Sequence, residues 1–185
     1  MEYILASASP RRQQLIKIID KNCICIPSDV EEIVPENIKL KKAPQYLSGL
    51  KAKDVAASHK NSLVIGCDTG VFINGEMLGK PTDTKSAYDM LKKLSGNTHS
   101  VITGCTIILN DRMRQFSVET KVTFYSLTDK QIYNYIETRE PMDKAGAYGI
   151  QKYGSLLVKS ITGDYFNVVG LPVARLEREI EKFIK

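Results

Sequence analysis

Apolar and polar positions along the chain fall into short blocks whose period changes repeatedly, and each change marks an element boundary. Tyr3-Ile4-Leu5-Ala6 reads as a short buried strand, and Leu15, Ile16, Ile18 and Ile19 then follow helical spacing. Ser9-Pro10 supplies the start of that helix, because serine is a favoured N-cap and proline at the first helical position gives up no hydrogen bond. Cys23 to Pro27 predicts a second strand, Ser28-Asp29-Val30-Glu31-Glu32 an acidic turn, and Pro44 a longer helix to about Lys60 with Leu47, Leu50 and Val55 inward. Ser62 to Cys67 is an unbroken apolar run, the pattern of a strand buried on both faces, and it is expected to stop at Asp68-Thr69.

Val71-Phe72-Ile73 and Glu76-Met77-Leu78 flank Asn74-Gly75, the strongest short hairpin signal. A helix over 84–94 is closed by Gly96, and 100–109 with 115–125 predict a long hairpin turning at Asn110-Asp111-Arg112. Thr128 and Gln131 form a capping box for a helix that turns Ile132, Tyr135 and Ile136 inward. Residues 139–154 are glycine-rich and irregular, 156–161 predict a strand, and 163–171 form a polar-aromatic segment. Pro172 then opens an amphipathic helix whose inner face is Val173, Leu176, Ile180, Phe183 and Ile184. Strands alternating with helices, with antiparallel hairpins inserted, predict an α/β fold around a mixed sheet. No repeat or linker divides residues 1–185, so one domain is expected.

Composition narrows the picture only a little. Hydrophobic residues are 43% and charged residues 25%, as in ordinary globular chains, and no apolar run approaches the ~20 residues of a membrane span. The chain starts without a basic, cleavable leader, which predicts a cytoplasmic protein. A net charge of +5 suits an anionic small molecule as readily as nucleic acid. Four cysteines and two histidines lack the spacing of zinc ligands, so the cysteines are expected to be small buried hydrophobes.

Four stretches carry candidate chemistry. Arg11 and Arg12 sit in the first turn of a helix that follows a strand, where free N–H groups already favour anions; the alternative is that both face solvent or pair with Glu31 or Glu32. Asp68 stands where a buried strand is expected to end, a position suited to metal binding or general-base work, though a turn-capping aspartate would look the same. Gly75-x-x-x-Gly79-Lys80 is one residue short of a P-loop and is followed by Pro81, so it is not one; Lys80 and Lys51 are either phosphate ligands or surface lysines. In Asp143-Lys144-Ala145-Gly146-Ala147-Tyr148-Gly149-Ile150-Gln151, small residues permit close approach of a ligand, and Gln151 offers a donor and an acceptor side by side, able to read a pyrimidine edge. His59 and His99, expected in helical and loop contexts, do not form a serine-hydrolase set.

Taken in order, Ser9-Pro10-Arg11-Arg12, Cys67-Asp68-Thr69, Gly79-Lys80-Pro81, Leu94-Ser95-Gly96, the segment from Asp143 to Gln151, and Val168-Val169-Gly170-Leu171-Pro172 resemble the Maf (septum-formation-inhibitor-like) family across residues 3–184. That resemblance implies an elongated mixed β-sheet flanked by helices, similar to inosine-triphosphate pyrophosphatases, with two lobes around a central cleft. It implies nucleoside triphosphate pyrophosphatase activity needing a divalent cation, Mg²⁺ or Mn²⁺. Asp68 matches the family's catalytic acid, with Cys67 where alanine is usual. Arg11, Arg12, Lys51 and Lys80 match phosphate-binding positions. Arg11, Thr69 and Gln151 match the specificity positions of the dTTP/UTP-preferring branch. The acidic turn matches at Glu31 and Glu32 without a choice between them; Glu32 with Asp68 is taken as the metal pair. The resemblance also implies a homodimer; the short apolar runs predict no membrane partner, and the full set of candidate catalytic residues argues against a nucleic-acid partner. Two alternatives stay open, a 7-methyl-GTP pyrophosphatase and a nucleotide- or nucleic-acid-binding regulator of cell division with little turnover.

Overall fold

The computed structural model describes residues 1–185. The elements run β1 (Tyr3–Ala6), α1 (Pro10–Ile16), β2 (Ile24–Cys25), α2 (Ala43–Ala56), β3 (Leu63–Ile73), β4 (Glu76–Leu78), α3 (Thr84–Leu94), β5 (Thr98–Leu109), β6 (Arg112–Phe124), α4 (Asp129–Glu137), β7 (Val158–Thr162), α5 (Tyr165–Val169) and α6 (Val173–Ile184). Seven strands make a mixed sheet in the order β2-β1-β3-β5-β6-β7, with β4 paired to β3. β1 is parallel to both β2 and β3, whereas β3 with β4 and β6 with β7 are antiparallel. The α/β class with a mixed sheet is therefore as the alternation of elements predicts. No helix is long and apolar enough to cross a membrane.

The chain groups into two compact units. The first comprises Met1–Thr69, Thr103–Val118 and Gly170–Lys185; the second comprises Gly70–Ile102 and Glu119–Val169. In the first, Ile4, Ala6 and Val64 of the sheet pack under Ala52 and Val55 of α2 together with Ile108. That contact needs a gap in the sheet surface. A Cβ on Gly66 would strike the Ser48 carbonyl and sit 2.9 Å from the Ala52 side chain, so α2 lies directly on the backbone of β3. Ser48 and Thr106 share a buried hydroxyl pair at 2.8 Å beside this contact. On α6, Leu176, Ile180 and Phe183 are buried as the helical spacing requires, and Glu179 is buried with them, held by Arg114 and Arg175.

The second unit has its own core, in which Leu91 and Leu94 of α3, Ile132 and Ile136 of α4, and Val122 and Phe124 of β6 are buried together. Asn74 and Gly75 both take positive φ, 50° and 82°, as the tight turn between β3 and β4 demands. The capping box on α4 is present in both directions: the Gln131 N–H donates to Thr128 Oγ1 at 3.3 Å, and the Thr128 N–H donates to Gln131 Oε1 at 2.9 Å.

Several boundaries differ from the sequence pattern. β3 does not stop at Asp68 but continues to Ile73, because Asp68 and Thr69 both find polar partners and so interrupt the hydropathy without interrupting the ladder. α2 ends at Ala56 instead of near Lys60; beyond it His59, Lys60 and Asn61 extend no apolar stripe, and the chain leaves in turns. Leu50 is only half-buried. α1 closes at Ile16, leaving Ile18 exposed, and its cap residue Ser9 makes no side-chain capping bond. β5 begins early enough to include His99, and the short helix α5 has no counterpart in the pattern.

Gly66→Ala tests the α2 contact. The added methyl overpacks a backbone-to-backbone approach, and a loss of about 1–3 kcal/mol in unfolding free energy is expected by denaturant titration.

Candidate active site

Strand alternation divides the work at the middle of β3. Val64, Gly66 and Asp68 project toward α2, while the next residue, Thr69, projects to the opposite face, where α1 lies. On the α2 face, Lys51 Nζ donates to Asp68 Oδ1 at 2.7 Å and lies 2.9 Å from Glu32 Oε1. The Lys51 and Asp68 side chains are only 13% and 15% exposed, so this is a largely desolvated pair. The acidic segment that supplies Glu32 has no regular structure, and α2 itself pins it: Asp54 Oδ2 accepts from Ser28 Oγ at 2.7 Å and from the Asp29 N–H at 3.2 Å. Of the two candidate glutamates, Glu32 is the one at Lys51.

On the α1 face, the Arg12 Nε–H donates to the Gly170 carbonyl at 2.8 Å and its Nη2 to Thr69 Oγ1 at 2.9 Å. Thr69 Oγ1 is in turn 2.9 Å from Thr103 Oγ1. A cation in the first turn of a helix opposes the helix dipole, and here a carbonyl and a hydroxyl supply the compensating negative ends. Arg12 therefore neither points to solvent nor pairs with the acidic turn. Arg11 is half-buried on the same turn. The first unit thus holds two groups, Glu32, Lys51 and Asp68 on the α2 face of β3 and Arg12 with Thr69 on the α1 face, with Arg11 adjacent to Arg12 in the chain. Between them they hold fixed cations, two convergent carboxylates and hydroxyls, a set suited to an anion that carries or accompanies a metal ion.

Asp68 and Glu32 both reach the Lys51 nitrogen, which puts two carboxylates of the kind a divalent cation takes near one point, with no third His, Cys, Asp or Glu donor grouped with them. Mg²⁺ typically uses one or two carboxylates and completes its shell with water and phosphate oxygens, so a larger protein cluster is not required. Cys67, on the Thr69 face, meets Cys105 with sulfurs 3.6 Å apart; both are free thiols and fully buried, as expected of small hydrophobes.

Lys80 and Gln151 lie in the second unit, and both are exposed. The Gly146 N–H donates to the Gly79 carbonyl at 2.9 Å, which ties the Gly-Lys-Pro turn to the small-residue segment. Tyr148 and Ile150 are buried, whereas Gln151 turns outward. Tyr148 is fixed from below by His99, whose Nε2 lies 2.7 Å from the phenol oxygen, and both rings meet Phe124 edge-on. His99 lies in strand β5, not in a loop, and is 2% exposed. The only sequence signal for this role is its place in β5 opposite a motif tyrosine, which strand alternation alone does not reveal. Thr103 and Glu140 are further polar residues that the sequence pattern passes over, whereas Tyr135 is buried on α4 as its spacing predicts.

A buried carboxylate paired with one lysine on a strand of a mixed α/β sheet, with an arginine fixed on the strand's other face, is the arrangement the comparisons can be set beside. A family model described as Maf-like protein matches residues 2–183, and the chain belongs to that family. It is 50% identical over 185 residues to the dTTP/UTP pyrophosphatase of Carboxydothermus hydrogenoformans, covering 99% of each chain. It is 48% identical over 180 residues to the dTTP/UTP pyrophosphatase of Bacillus velezensis, covering 97% of this chain and 95% of the other. Among solved structures, the Staphylococcus aureus Ham1 protein aligns with 67% of this chain and 72% of its own at a TM-score of 0.46 and 18% identity.

Burial pushes the His99 imidazole down from 6.5 to about 4, so the folded protein holds it neutral where the unfolded chain would protonate it. Stability is then full above pH 6.5 and falls as pH drops toward 4, because the unfolded state binds the extra proton. A loss of roughly 3 kcal/mol from this group is expected across that window. Urea titrations at pH 7 and pH 4.5 check it, with His99→Gln expected to flatten the dependence.

Proposed function

We propose that this chain is a nucleoside triphosphate pyrophosphatase acting on dTTP and UTP, releasing the nucleoside monophosphate and pyrophosphate. The observation that carries the reading is the Asp68–Lys51–Glu32 group, backed by near-full-length relatives of that name at 48–50% identity. In the proposed reaction a water oxygen bonds to the α-phosphorus as the bond to the α,β-bridging oxygen breaks, and that oxygen leaves with pyrophosphate. Lys51 engages Oδ1 of Asp68, which leaves Oδ2 to take the water's proton. Arg11, Arg12 and Lys80 balance the triphosphate's negative charge, Arg12 through a planar fork already held in place by Gly170 and Thr69. Gln151, with Arg11 and Thr69, is assigned recognition of the pyrimidine, its amide supplying a donor and an acceptor to the base edge. Asp68 and Glu32 are assigned a Mg²⁺ or Mn²⁺ ion, which when bound supplies charge neutralisation and a more acidic water. A cytoplasmic location belongs to the same reading, as does a homodimer, which the sequence resemblance implies.

Pyrophosphate release from dTTP, UTP, CTP and 7-methyl-GTP, with Mg²⁺ or Mn²⁺, tests the reaction and its base preference together. Turnover of dTTP and UTP is expected. Asp68→Asn is expected to lower kcat by about 10²–10⁴-fold in a chain that still folds, Glu32 remaining as the partner of Lys51, with circular dichroism and a cooperative thermal transition as the check on folding. An Asn variant with undiminished turnover removes Asp68 from the mechanism.

A further inference from the structure

Residues 139–157 contain no long helix or strand, yet their backbone is closely specified. Glu140 stands at the start of this stretch and its carboxylate collects the far end of it. Oε2 accepts from the Tyr153 N–H at 3.1 Å, and Oε1 accepts from the Gly154 N–H at 3.4 Å and from the Tyr135 hydroxyl at 3.2 Å. The Tyr135 oxygen, projecting from α4, accepts from the Gly149 N–H at 3.1 Å. Burial pushes the Tyr135 phenol above its ordinary range, so it remains a proton donor to Glu140. The Glu140 carbonyl meanwhile accepts from Lys144 Nζ at 2.6 Å. The excursion closes on itself. A Cβ on Gly154 would run into the Gly149 carbonyl and lie 2.8 Å from the Tyr135 oxygen, so residues 149 and 154 are in backbone contact.

Gln151 sits inside that closed excursion, exposed, with its amide committed to none of these bonds. The backbone before it is bonded at Gly149 and the backbone after it at Tyr153 and Gly154, all through one carboxylate and one phenol. We infer that Glu140, acting with Tyr135, is a positioning residue for Gln151, holding the backbone on both sides of it so that the amide meets the pyrimidine already placed. This rests on the assignment of Gln151 to base recognition. A recognition group displaced by an ångström loses much of its effect, so an unclamped Gln151 is worth little more than an alanine there.

The test is a double-variant cycle on the full chain. Binding of a UTP analogue with a non-hydrolysable α,β linkage is measured by calorimetry for the unaltered chain, Glu140→Gln, Gln151→Ala and the double variant. Amide exchange at Gly149, Tyr153 and Gly154 is followed in parallel. Glu140→Gln is expected to weaken binding roughly ten-fold or more and to expose those amides. The double variant is expected to bind no more weakly than Gln151→Ala alone, the non-additivity of residues acting as one unit. Tyr135→Phe, which removes one hydroxyl and no charge, is expected to shift both readouts the same way by less, and serves if Glu140→Gln does not fold. Additive losses, or unchanged binding despite exposed amides, overturn the inference. If the chain binds the analogue with this coupling but releases no pyrophosphate, the proposed reaction falls and the role of Glu140 stands; absence of binding by the unaltered chain overturns both.

Discussion

Lys51 carries an ammonium group into a place where water reaches little of its side chain, and much of the first unit is arranged to keep that charge paired. A buried cation left without a partner is strongly destabilising, and two carboxylates meet it. Asp68 is presented by a strand that runs on through its polar residues instead of ending at them. α2 lies on bare backbone at Gly66, which brings Lys51, one turn further along, within reach of Asp68. Three residues past Lys51, Asp54 gathers Ser28 and Asp29 and so delivers Glu32 from a segment with no regular structure. Helix, strand and loop are thus tied by one nitrogen, and the same nitrogen organises the carboxylates assigned to the chemistry.

The assigned residues fall into two kinds. Arg12, Lys51 and Asp68 are already bonded within the protein, and their geometry is set before any ligand arrives. Lys80 and Gln151 are exposed, although the backbone carrying them is fastened, at Gly79 to Gly146 and at Gly149 to Tyr135. Preorganisation therefore takes a different form in each case. In the first the side chain is held and must share its partners with a polyanion; in the second the side chain is free to engage and the main chain beneath it supplies the precision.

Much of this was legible in the residues. Asn74-Gly75 specified its hairpin and Thr128 with Gln131 its cap, because those signals are local and the structure has no reason to override them. Asp68, Arg12 and Gln151 stood out by residue type and spacing. The end of β3 was misread because hydropathy registers a polar residue and cannot register the Lys51 or Thr103 that receives it. Glu179 was invisible for the same reason: a glutamate on an amphipathic helix reads as solvent-facing until Arg114 and Arg175 are seen around it. Glu140 and His99 act on backbone or aromatic partners several residues to several dozen residues away, with no periodicity to announce them.

The Arg12 fork closes on a carbonyl 158 residues further along the chain. On a ribosome adding roughly 5–20 residues per second, that acceptor is made about 8–30 seconds after the arginine. The first unit shares this feature, since its third stretch is Gly170–Lys185. The second unit's sequence ends at Val169, one residue before that stretch begins, so it is made ahead of the segment that completes the first. The α1 face of β3 is therefore finished only once Gly170 has been made, and until then a nascent chain holds Arg12 without the carbonyl that fastens it.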